Sequence, residues 1–411
     1  MARFLFTMLP ANDLGLPTRM LPIARALADR GHELAVFNPA PAPGILIAEA
    51  GLTSLPLPAR PMPAPAFDLT PVSEAWDVEH FFAGFYTSED YVRDAVASYI
   101  DLINDYAPDM LVDSFEPISC LAARICNVPL ATVLQGNVHP ASRGFTWWQD
   151  ERPAGLPSAA AFFNRVAAEH GLAPKGRCVD WMAGDLSLIV GTPETDPVAA
   201  DADVTYIGPM VFQRGDAALP GWVNELNGDR PLVWVYSGNP RYFSVSSPCD
   251  SIVVIRAAIE ALANAPVHVV LTTGHQELPA EFGTLPQNFR HAVYLPGLLM
   301  AERADLVVFH GGHSSVMTTL KAGTPSVIIP TISERESNAR RLASLGAGEI
   351  VMPVSGADGE KQVDVAEFGA KVKRVLMEPE YRQSARRVAE SMRQYGGAQA
   401  AATRIEAFAA R

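Results

Sequence analysis

Residues 305–323 read DLVVFHGGHSSVMTTLKAG and have the order of a phosphate-binding turn: an apolar strand, then glycines, then a hydroxyl-bearing helix start. The apolar run is typical of a strand buried on both faces of a parallel sheet. His-Gly-Gly at 310–312 breaks this strand, because two glycines let the chain turn sharply and let a ligand approach the backbone. Free N–H groups at the start of the next helix, with the positive end of its dipole, favour a bound anion. His310 is placed to donate a hydrogen bond to that anion; the alternative is a structural turn with a satisfied histidine.

The residues downstream extend this pattern. Residues 323–330 (GTPSVIIP) predict another buried strand that ends at a proline, and residues 334–341 (ERESNARR) open a polar helix. From 310 to 339 the chain has His-Gly-Gly, two small hydroxyl residues, Gly-x-Pro, a proline, an acidic residue and Asn-Ala. This order resembles the signature of the family 1 nucleotide-sugar-dependent glycosyltransferases of the GT-B fold, in their bacterial natural-product type. Residues 21–25 (LPIAR) and 30–33 (RGHE) also match the first unit of that family.

The order of strands and helices predicts an α/β protein with two Rossmann-like domains. Residues 3–37 read as strand, helix and strand, a βαβ unit whose first loop lies at the carboxyl edge of a parallel sheet. The resemblance implies the GT-B arrangement, in which the two domains face each other across a cleft and the C-terminal helices cross back. The predicted boundaries are an acceptor-binding domain at 1–212, a linker at 213–229, a nucleotide-sugar-binding domain at 230–377 and C-terminal helices at 378–411.

Composition narrows the class of protein. The chain has 411 residues, of which 48% are hydrophobic and 19% charged, as expected for a globular protein of two domains. A net charge of −13 argues against binding of nucleic acid or anionic membranes, since both are negatively charged. Neither a signal peptide nor an apolar run of membrane-spanning length is found, and four scattered cysteines fit no zinc site or disulfide scaffold. We therefore expect a cytoplasmic protein without stable membrane insertion, and a homodimer is left open.

The resemblance implies a nucleotide-sugar co-substrate, with no other cofactor, held mainly by the second domain. His310 matches the histidine that bonds the diphosphate. Tyr294 matches the aromatic residue that stacks on the base, and the backbone of Leu295 then reads the base edge; a core position for Tyr294 is the alternative. The other donor-binding positions carried over from the family are Gly238, Gly312, Ser314, Ser315, Thr318, Glu334 and Arg335.

Two of these positions depart from the family pattern. Thr318 stands where many members have a glutamate that grips both ribose hydroxyls, and a carboxylate facing a deoxyribose would lack a partner. The threonine therefore favours a dTDP-sugar over a UDP-sugar. Glu334-Arg335 replaces an acidic residue followed by glutamine. Because arginine only donates hydrogen bonds, the sugar is expected to be unusual, with a carboxylate or with fewer hydroxyls.

The first domain lacks the catalytic histidine of the family, because Leu16 occupies its position after Gly15. Inverting transfer needs a base that takes the acceptor's proton during attack on the anomeric carbon. We favour Asp13 as this base for its place in the first loop. The other candidates are His139, whose ordinary pKa suits the task, Asp113, which matches the aspartate that orients the family histidine, and Glu116. Turn chemistry is the alternative for each, and an amine, acidic phenol or carbon nucleophile would need no strong base.

These features predict inverting, metal-independent transfer from a dTDP- or UDP-sugar to a small, partly apolar acceptor such as a polyketide, macrolide or aromatic natural product. No metal is expected, because the one Asp-x-Asp motif, at 201–203, is remote in sequence from any phosphate element. Two alternatives stay open: a catalytically silent nucleotide-sugar-binding partner protein, and a sugar-nucleotide epimerase of the same fold. Aromatic residues of a long insertion either line the acceptor pocket or belong to the core. They are Trp147, Trp148, Phe162, Phe163 and Trp181.

Overall fold

The computed structural model describes residues 1–11, 14–58, 72–149, 151–213, 217–226, 228–241, 247, 249–356 and 360–411. The chain forms two compact units, Met1–Phe212 with Tyr395–Arg411, and Gln213–Gln394. Each unit is built on a parallel sheet whose strands alternate with helices, so the predicted α/β fold class is confirmed. Among the residues just given, no helix has the length and apolar character needed to cross a membrane.

Within the described residues, the sheet of the first unit has seven strands in the order β3-β2-β1-β4-β5-β6-β7. β1, β4 and β5 are buried along nearly their whole length, because helices cover both faces of a parallel sheet. The strands are β1 Arg3–Met8, β2 Glu33–Phe37, β3 Thr53–Ser54, β4 Met110–Ser114, β5 Leu130–Gln135, β6 Leu186–Val190 and β7 Thr205–Gly208. The helices that precede the second unit are Gly15–Ala28, Pro41–Glu49, Val78–Ala83, Glu89–Tyr106, Pro117–Ile125 and Ala160–Glu169.

In the part of the second unit that the structure describes, the sheet has six strands in the order β10-β9-β8-β11-β12-β13, and its core is rich in valine. The strands are β8 Leu232–Tyr236, β9 His268–Thr272, β10 Phe289–Ala292, β11 Leu306–Phe309, β12 Ser326–Ile328 and β13 Gly348–Ile350; a small antiparallel pair follows, β14 Val354–Ser355 with β15 Lys361–Gln362. Its helices are Gly221–Asn224, Ile252–Leu262, Gly297–Arg303, His313–Ala322, Ser333–Ser344, Val365–Met377 and Pro379–Met392.

The last helix, Gly397–Ala409, belongs to the first unit. Its Glu406 pairs with two residues that follow the first helix: Arg30 Nη1 lies 3.0 Å from one carboxylate oxygen, and His32 Nε2 lies 3.1 Å from the other. The C-terminal helices predicted at 378–411 are therefore divided between the two units. The helix Pro379–Met392 belongs to the second unit, and the last helix belongs to the first.

In both sheets the strand order reverses beside the first strand of the unit. β1 lies between β2 and β4, and β8 lies between β9 and β11. Ligands of open α/β sheets bind outside the carboxyl ends of the strands at such a reversal. The residues that follow β8 and β11, and those that follow β1 and β4, are therefore where a site is expected in each unit.

Candidate active site

His310 lies at the carboxyl end of β11 and packs against two glycines. A Cβ on Gly238, which follows β8, would lie 2.6 Å from His310 Cε1, and a Cβ on Gly312 would lie 2.8 Å from His310 Nε2. Gly238 also has a φ of 66°, a conformation that glycine adopts without steric cost. The structure thus brings together three residues that the sequence assigned to one site, although 72 positions separate Gly238 from His310.

The imidazole of His310 is buried and electrically neutral near pH 7. Burial, and secondarily the positive charge of Arg335, lower the pKa of His310 well below its usual value. The residue is 6% exposed, and its Nδ1 makes no hydrogen bond of regular geometry with the described protein groups, although an interaction of the ring with the Tyr236 backbone opposes the lowering of the pKa. The helix His313–Ala322 begins beside it, with Gly312 as its N-cap. A buried imidazole next to the start of a helix, where the dipole is positive, is suited to an anionic ligand.

Hydroxyl residues lie on the first turns of that helix. Ser314 and Ser315 are partly exposed, and Thr318 donates its hydroxyl hydrogen to the Ser314 carbonyl oxygen at 2.8 Å. The methyl carbon of Thr318 lies 3.8 Å from the position that a Cβ on Gly297 would take. Because Gly297 directly follows residues 294–296, Thr318 borders the segment that the sequence predicted to bind the base.

Tyr294 lies two residues beyond β10, and its ring stacks on the imidazole of His275. The ring centroids are 4.5 Å apart, and the planes differ by 20°. His275 has a φ of 72°, and its N–H donates to the Val293 carbonyl oxygen at 2.9 Å. Leu295 is 5% exposed and anchors the segment. The sequence analysis did not predict a role for His275. A glycine shortly after β9 was the only local sign of a turn that could bring this residue to the site.

Arg335 directs one end of its guanidinium to protein groups of its own unit. It is 7% exposed, and Nη1 donates to the Cys249 carbonyl oxygen at 3.2 Å, to Ser251 Oγ at 3.1 Å and to the Thr331 hydroxyl. These bonds tie the loop after β12 to the start of the helix Ile252–Leu262. Contact of Arg335 with a sugar stays a prediction.

Asn338 links Glu334 to the phosphate-binding turn. Its Nδ2 donates to Glu334 Oε1 at 2.7 Å and to the Gly311 carbonyl oxygen at 2.9 Å. Asn338 belongs to the Asn-Ala pair of the sequence pattern but was not among the predicted site residues. Through it, the structure brings the predicted sugar-binding residue Glu334 to the turn that carries His310.

Asp113 holds the polar turn at the reversal of the first sheet. It is fully buried, and its Oδ2 accepts from Thr7 Oγ1 at 2.8 Å and from Ser119 Oγ at 2.7 Å, while Oδ1 accepts from the Glu116 N–H at 3.0 Å. Burial raises the pKa of Asp113 to about 6, although these hydrogen bonds oppose the rise. Both carboxylate oxygens are thus engaged within the fold.

Glu116 caps the helix Pro117–Ile125. Its Oε1 accepts from the Ile118 N–H at 3.0 Å and from the Tyr86 hydroxyl at 2.8 Å. Burial, and secondarily the negative charge of Asp113, raise the pKa of Glu116 to about 8. A carboxyl group that is mostly protonated at neutral pH is poorly suited to remove a proton.

His139 follows β5 and is 5% exposed. Its Nδ1 accepts from the Ala141 N–H at 3.1 Å, so the proton of the neutral ring lies on Nε2. Burial, and secondarily the charge of Arg177, lower the pKa of His139 to about 4. At neutral pH Nε2 of His139 carries a proton and acts as a hydrogen-bond donor. The lone pair of Nδ1 is used by the Ala141 N–H, so neither nitrogen is available to accept a proton.

Asp13, the favoured base, lies outside the described residues, and Leu16 lies in the first turn of the helix Gly15–Ala28. No cluster of three or more His, Cys, Asp or Glu side chains suited to a metal occurs in the part of the chain that the structure describes. The predicted absence of a metal stays a prediction, as does the role of Asp13.

The aromatic residues predicted for the acceptor pocket divide into two kinds. Phe163 and Trp181 are 0% and 4% exposed, as expected for the core, whereas Trp147 and Trp148 are partly exposed and contact each other edge to face. Sequence reasoning missed a second aromatic group, which lies at the carboxyl end of β4. It consists of Phe81, Phe82, Phe85 and Phe115.

Glu116→Gln is expected to flatten the dependence of stability on pH. The folded protein holds a proton on Glu116 up to about pH 8, whereas the unfolded chain releases it near 4.5. The folded state thus binds more protons in this interval, and stability falls as pH rises. Between pH 6.5 and 8.5 the wild type should lose roughly 2 kcal/mol through this group.

Urea unfolding at pH 6.5, 7.5 and 8.5 checks this prediction. The interval begins at 6.5 because the lowered pKa values of His139 and His310 make stability rise with pH below that point. The surface variant Glu380→Gln serves as the control and should keep the wild-type slope. Equal slopes in the wild type and Glu116→Gln would contradict the prediction.

Comparisons with known proteins identify similar glycosyltransferases. Residues 256–408 match the family described as erythromycin biosynthesis protein CIII-like, C-terminal domain. A PGL/p-HBAD biosynthesis glycosyltransferase of Mycobacterium tuberculosis (strain ATCC 25177 / H37Ra) is 26% identical over 321 residues, which cover 73% of this chain and 70% of that protein.

Solved structures are similar over almost the whole chain. CalG4, the calicheamicin glycosyltransferase, has a TM-score of 0.74 and 21% identity, with coverage of 100% of this chain and 99% of that one. The glycosyltransferase VinC, in complex with dTDP, has a TM-score of 0.72 and 20% identity, with coverage of 100% of both chains. The structures show the fold, and the sequence relatives agree with the activity that the His310 turn predicted. The chain is therefore a glycosyltransferase of the GT-B fold, similar to enzymes of natural-product biosynthesis.

Proposed function

We propose that the protein transfers a sugar from a dTDP-sugar, with a UDP-sugar as the second choice, to a small and partly apolar acceptor. Transfer proceeds with inversion at the anomeric carbon and without a metal. One observation carries the donor side: the buried imidazole of His310 lies beside the start of the helix His313–Ala322. The dTDP named in the VinC structure supports the choice of nucleotide.

The site assists the departure of the diphosphate. As the bond between the anomeric carbon and the diphosphate oxygen breaks, negative charge grows on the leaving group. Helix N–H groups and the N–H of the neutral His310 ring are fixed before the reaction and stabilise that charge without rearranging. Gly238 and Gly312 let the imidazole lie flat against the backbone, which a Cβ at either position would prevent.

Asp13 is our proposal for the base that accepts the acceptor's proton. It lies in the chain between β1, which ends at Met8, and the helix that begins at Gly15. The other candidates are engaged elsewhere: Asp113 and Glu116 hold the turn after β4, and His139 carries its proton on Nε2. Asp13→Asn should lower kcat by about 100-fold or more and leave the affinity for dTDP unchanged.

Thr318→Glu is expected to shift nucleotide preference towards UDP by about tenfold. In the wild type the Thr318 hydroxyl donates to the Ser314 carbonyl, so this side chain offers no carboxylate to a ribose. A glutamate gains a hydrogen bond from the 2′-hydroxyl of UDP, and a hydrogen bond to a charged group is worth about 1.5–3 kcal/mol. Calorimetric titration with dTDP and UDP checks the ratio of the two dissociation constants. Thr318→Val is the control, and a ratio that is equal in Thr318→Glu and Thr318→Val would contradict the assignment.

Turnover assays test the function as a whole. The purified protein is incubated with dTDP-glucose or dTDP-rhamnose and a panel of phenolic and macrolide acceptors, with and without EDTA. We expect dTDP release that requires an acceptor, resists EDTA and gives a product whose anomeric configuration is opposite to that of the donor. Isomerisation of the donor without acceptor would favour an epimerase, and dTDP binding without any turnover would favour a silent partner protein.

A further inference from the structure

The antiparallel pair β14 and β15 forms a hairpin that is too short to be stable through its own backbone bonds. Each strand has two residues, and a further backbone bond runs from the Gly356 N–H to the Glu360 carbonyl oxygen at 2.8 Å. An isolated two-stranded hairpin is marginally stable at best in water. The hairpin therefore depends on contacts with the rest of the second unit, and the neighbouring side chains of Glu360 and Lys361 make such contacts.

Glu360 belongs to an ion-pair network with two arginines. Its Oε2 lies 3.0 Å from Arg256 Nη2, and its Oε1 lies 3.8 Å from Arg241 Nη2. Both arginines also pair with Glu281, at 3.2 Å and 2.9 Å respectively. Arg241 Nη1 lies 3.6 Å from Oδ2 of Asp250, which is 6% exposed. The network thus connects the hairpin to the buried chain at position 250.

Lys361 contacts a second segment that holds Arg335. Its Nζ donates to the carbonyl oxygen of Thr331, a residue that is 1% exposed. The Thr331 hydroxyl accepts from Arg335 Nη1 and donates to the Cys249 carbonyl oxygen at 3.4 Å. Arg335 Nη1 also donates to Ser251 Oγ at 3.1 Å. The two hairpin side chains therefore lead to both groups of residues that hold the guanidinium of Arg335, at 249–251 and at 331.

Arg335 packs directly against the phosphate-binding turn. A Cβ on Gly311 would lie 2.8 Å from the Arg335 carbonyl oxygen and 3.1 Å from Arg335 Cβ. The positive charge of Arg335 also contributes to the lowered pKa of His310, so the guanidinium acts on the imidazole. In a reactive site, a misplacement of about 1 Å can cost about 100-fold in rate. The position of Arg335 therefore matters to any ligand bound at this turn.

We propose that the hairpin positions Arg335 for the sugar of the donor, with Lys361 as the main positioning residue and Glu360 as the second. The inference rests on the proposed function, because it requires a nucleotide-sugar at the His310 turn. Lys361 and Glu360 do not touch the sugar; they act through Thr331 and the segment 249–251. A hydrogen bond from a guanidinium to a sugar oxygen depends closely on distance and angle. The hairpin thus sets the preference for a dTDP-sugar over dTDP and leaves the affinity for dTDP itself unchanged.

Lys361→Met is the main test, because methionine keeps an unbranched apolar stem and removes the hydrogen-bond donor. Dissociation constants for dTDP and dTDP-glucose are measured by calorimetry in the wild type and the variant. We expect the preference for dTDP-glucose over dTDP to fall about tenfold, with an unchanged dissociation constant for dTDP. Glu360→Gln should lower the same preference by about threefold, because its ion pairs are partly exposed and individually weak.

A double-mutant cycle with Arg335→Met tests whether Lys361 acts through Arg335. Arg335→Met should lower the preference for dTDP-glucose at least as much as Lys361→Met does. In the Arg335→Met background, Lys361→Met should then change the preference no further, because residues that share one contact are not additive. Additive effects would overturn the positioning role, as would an unchanged preference in Arg335→Met.

Lys371→Met is the matched control, because Lys371 Nζ also donates to a backbone carbonyl oxygen of the second unit, that of Ile350 at 2.5 Å. This variant should keep the wild-type preference, and an equal loss in Lys371→Met and Lys361→Met would overturn the inference. If dTDP does not stabilise the wild type, the proposed function itself fails. If dTDP binds but Lys361→Met keeps the wild-type preference for dTDP-glucose, only the role of the hairpin is wrong.

Discussion

His310→Ala is expected to abolish stabilisation of the protein by dTDP and to lower kcat by about 100- to 1,000-fold, the usual cost of removing one donor to developing negative charge. The wild type at a dTDP concentration 100 times the dissociation constant should gain roughly 2.7 kcal/mol of stability. The effect is large because the imidazole is neutral and buried, and it lies beside the start of the helix His313–Ala322. Alanine removes the hydrogen bond that we propose between the imidazole and the diphosphate, and it leaves the space open to water.

Thermal melting with and without dTDP, and initial rates with one acceptor, measure these effects. The matched control is His268→Ala in the same unit, whose imidazole pairs with Asp229 at the surface. It should keep both dTDP stabilisation and turnover. Retention of the dTDP shift in His310→Ala would show that the diphosphate binds elsewhere, and the structural-turn interpretation of 310–312 would then be correct.

The local parts of this site were predictable from the sequence. The order of strand, glycine turn and helix between 305 and 323 is a short-range pattern, and hydrophobic periodicity with glycine signals is enough to place it. The same applies to the glycine after β8, because a turn must follow a buried strand there. Two Rossmann-like units follow from the alternation of strands and helices along the chain.

The parts that depend on distant residues were not predictable. Arg335 meets the carbonyl of Cys249 and the hydroxyl of Ser251, more than 80 positions earlier in the chain, and no local pattern records such a pair. The stacking of Tyr294 on His275 depends on how β9 and β10 end side by side. The pKa of Asp113 also depends on distant residues, because its main cause is burial. The local sequence LVDSFEP does not indicate how deeply this side chain is buried.

Gly238→Ala is expected to destabilise the second unit by about 2–5 kcal/mol and to remove dTDP binding. Two costs add: a side chain at a φ of 66° costs roughly 1–2 kcal/mol, and overpacking costs about 1–3 kcal/mol. The overpacking arises because the new Cβ would lie 2.6 Å from His310 Cε1 and 3.0 Å from Nδ1. Urea unfolding and dTDP-dependent melting measure both effects. The control is Gly369→Ala in the helix Val365–Met377, where the added Cβ meets Ala261 at 3.7 Å and should stabilise the helix by roughly 0.5–1 kcal/mol.

A double-mutant cycle with His310→Ala separates the two costs of Gly238→Ala. If the clash with the imidazole is real, Gly238→Ala should cost about 1–3 kcal/mol less in the His310→Ala background than in the wild type, because only the backbone cost remains. Additive effects would instead show that the two residues do not contact each other in solution. Such a result would separate the glycine turn after β8 from the histidine after β11. The site would then lose the contact that makes these two strand ends one binding surface.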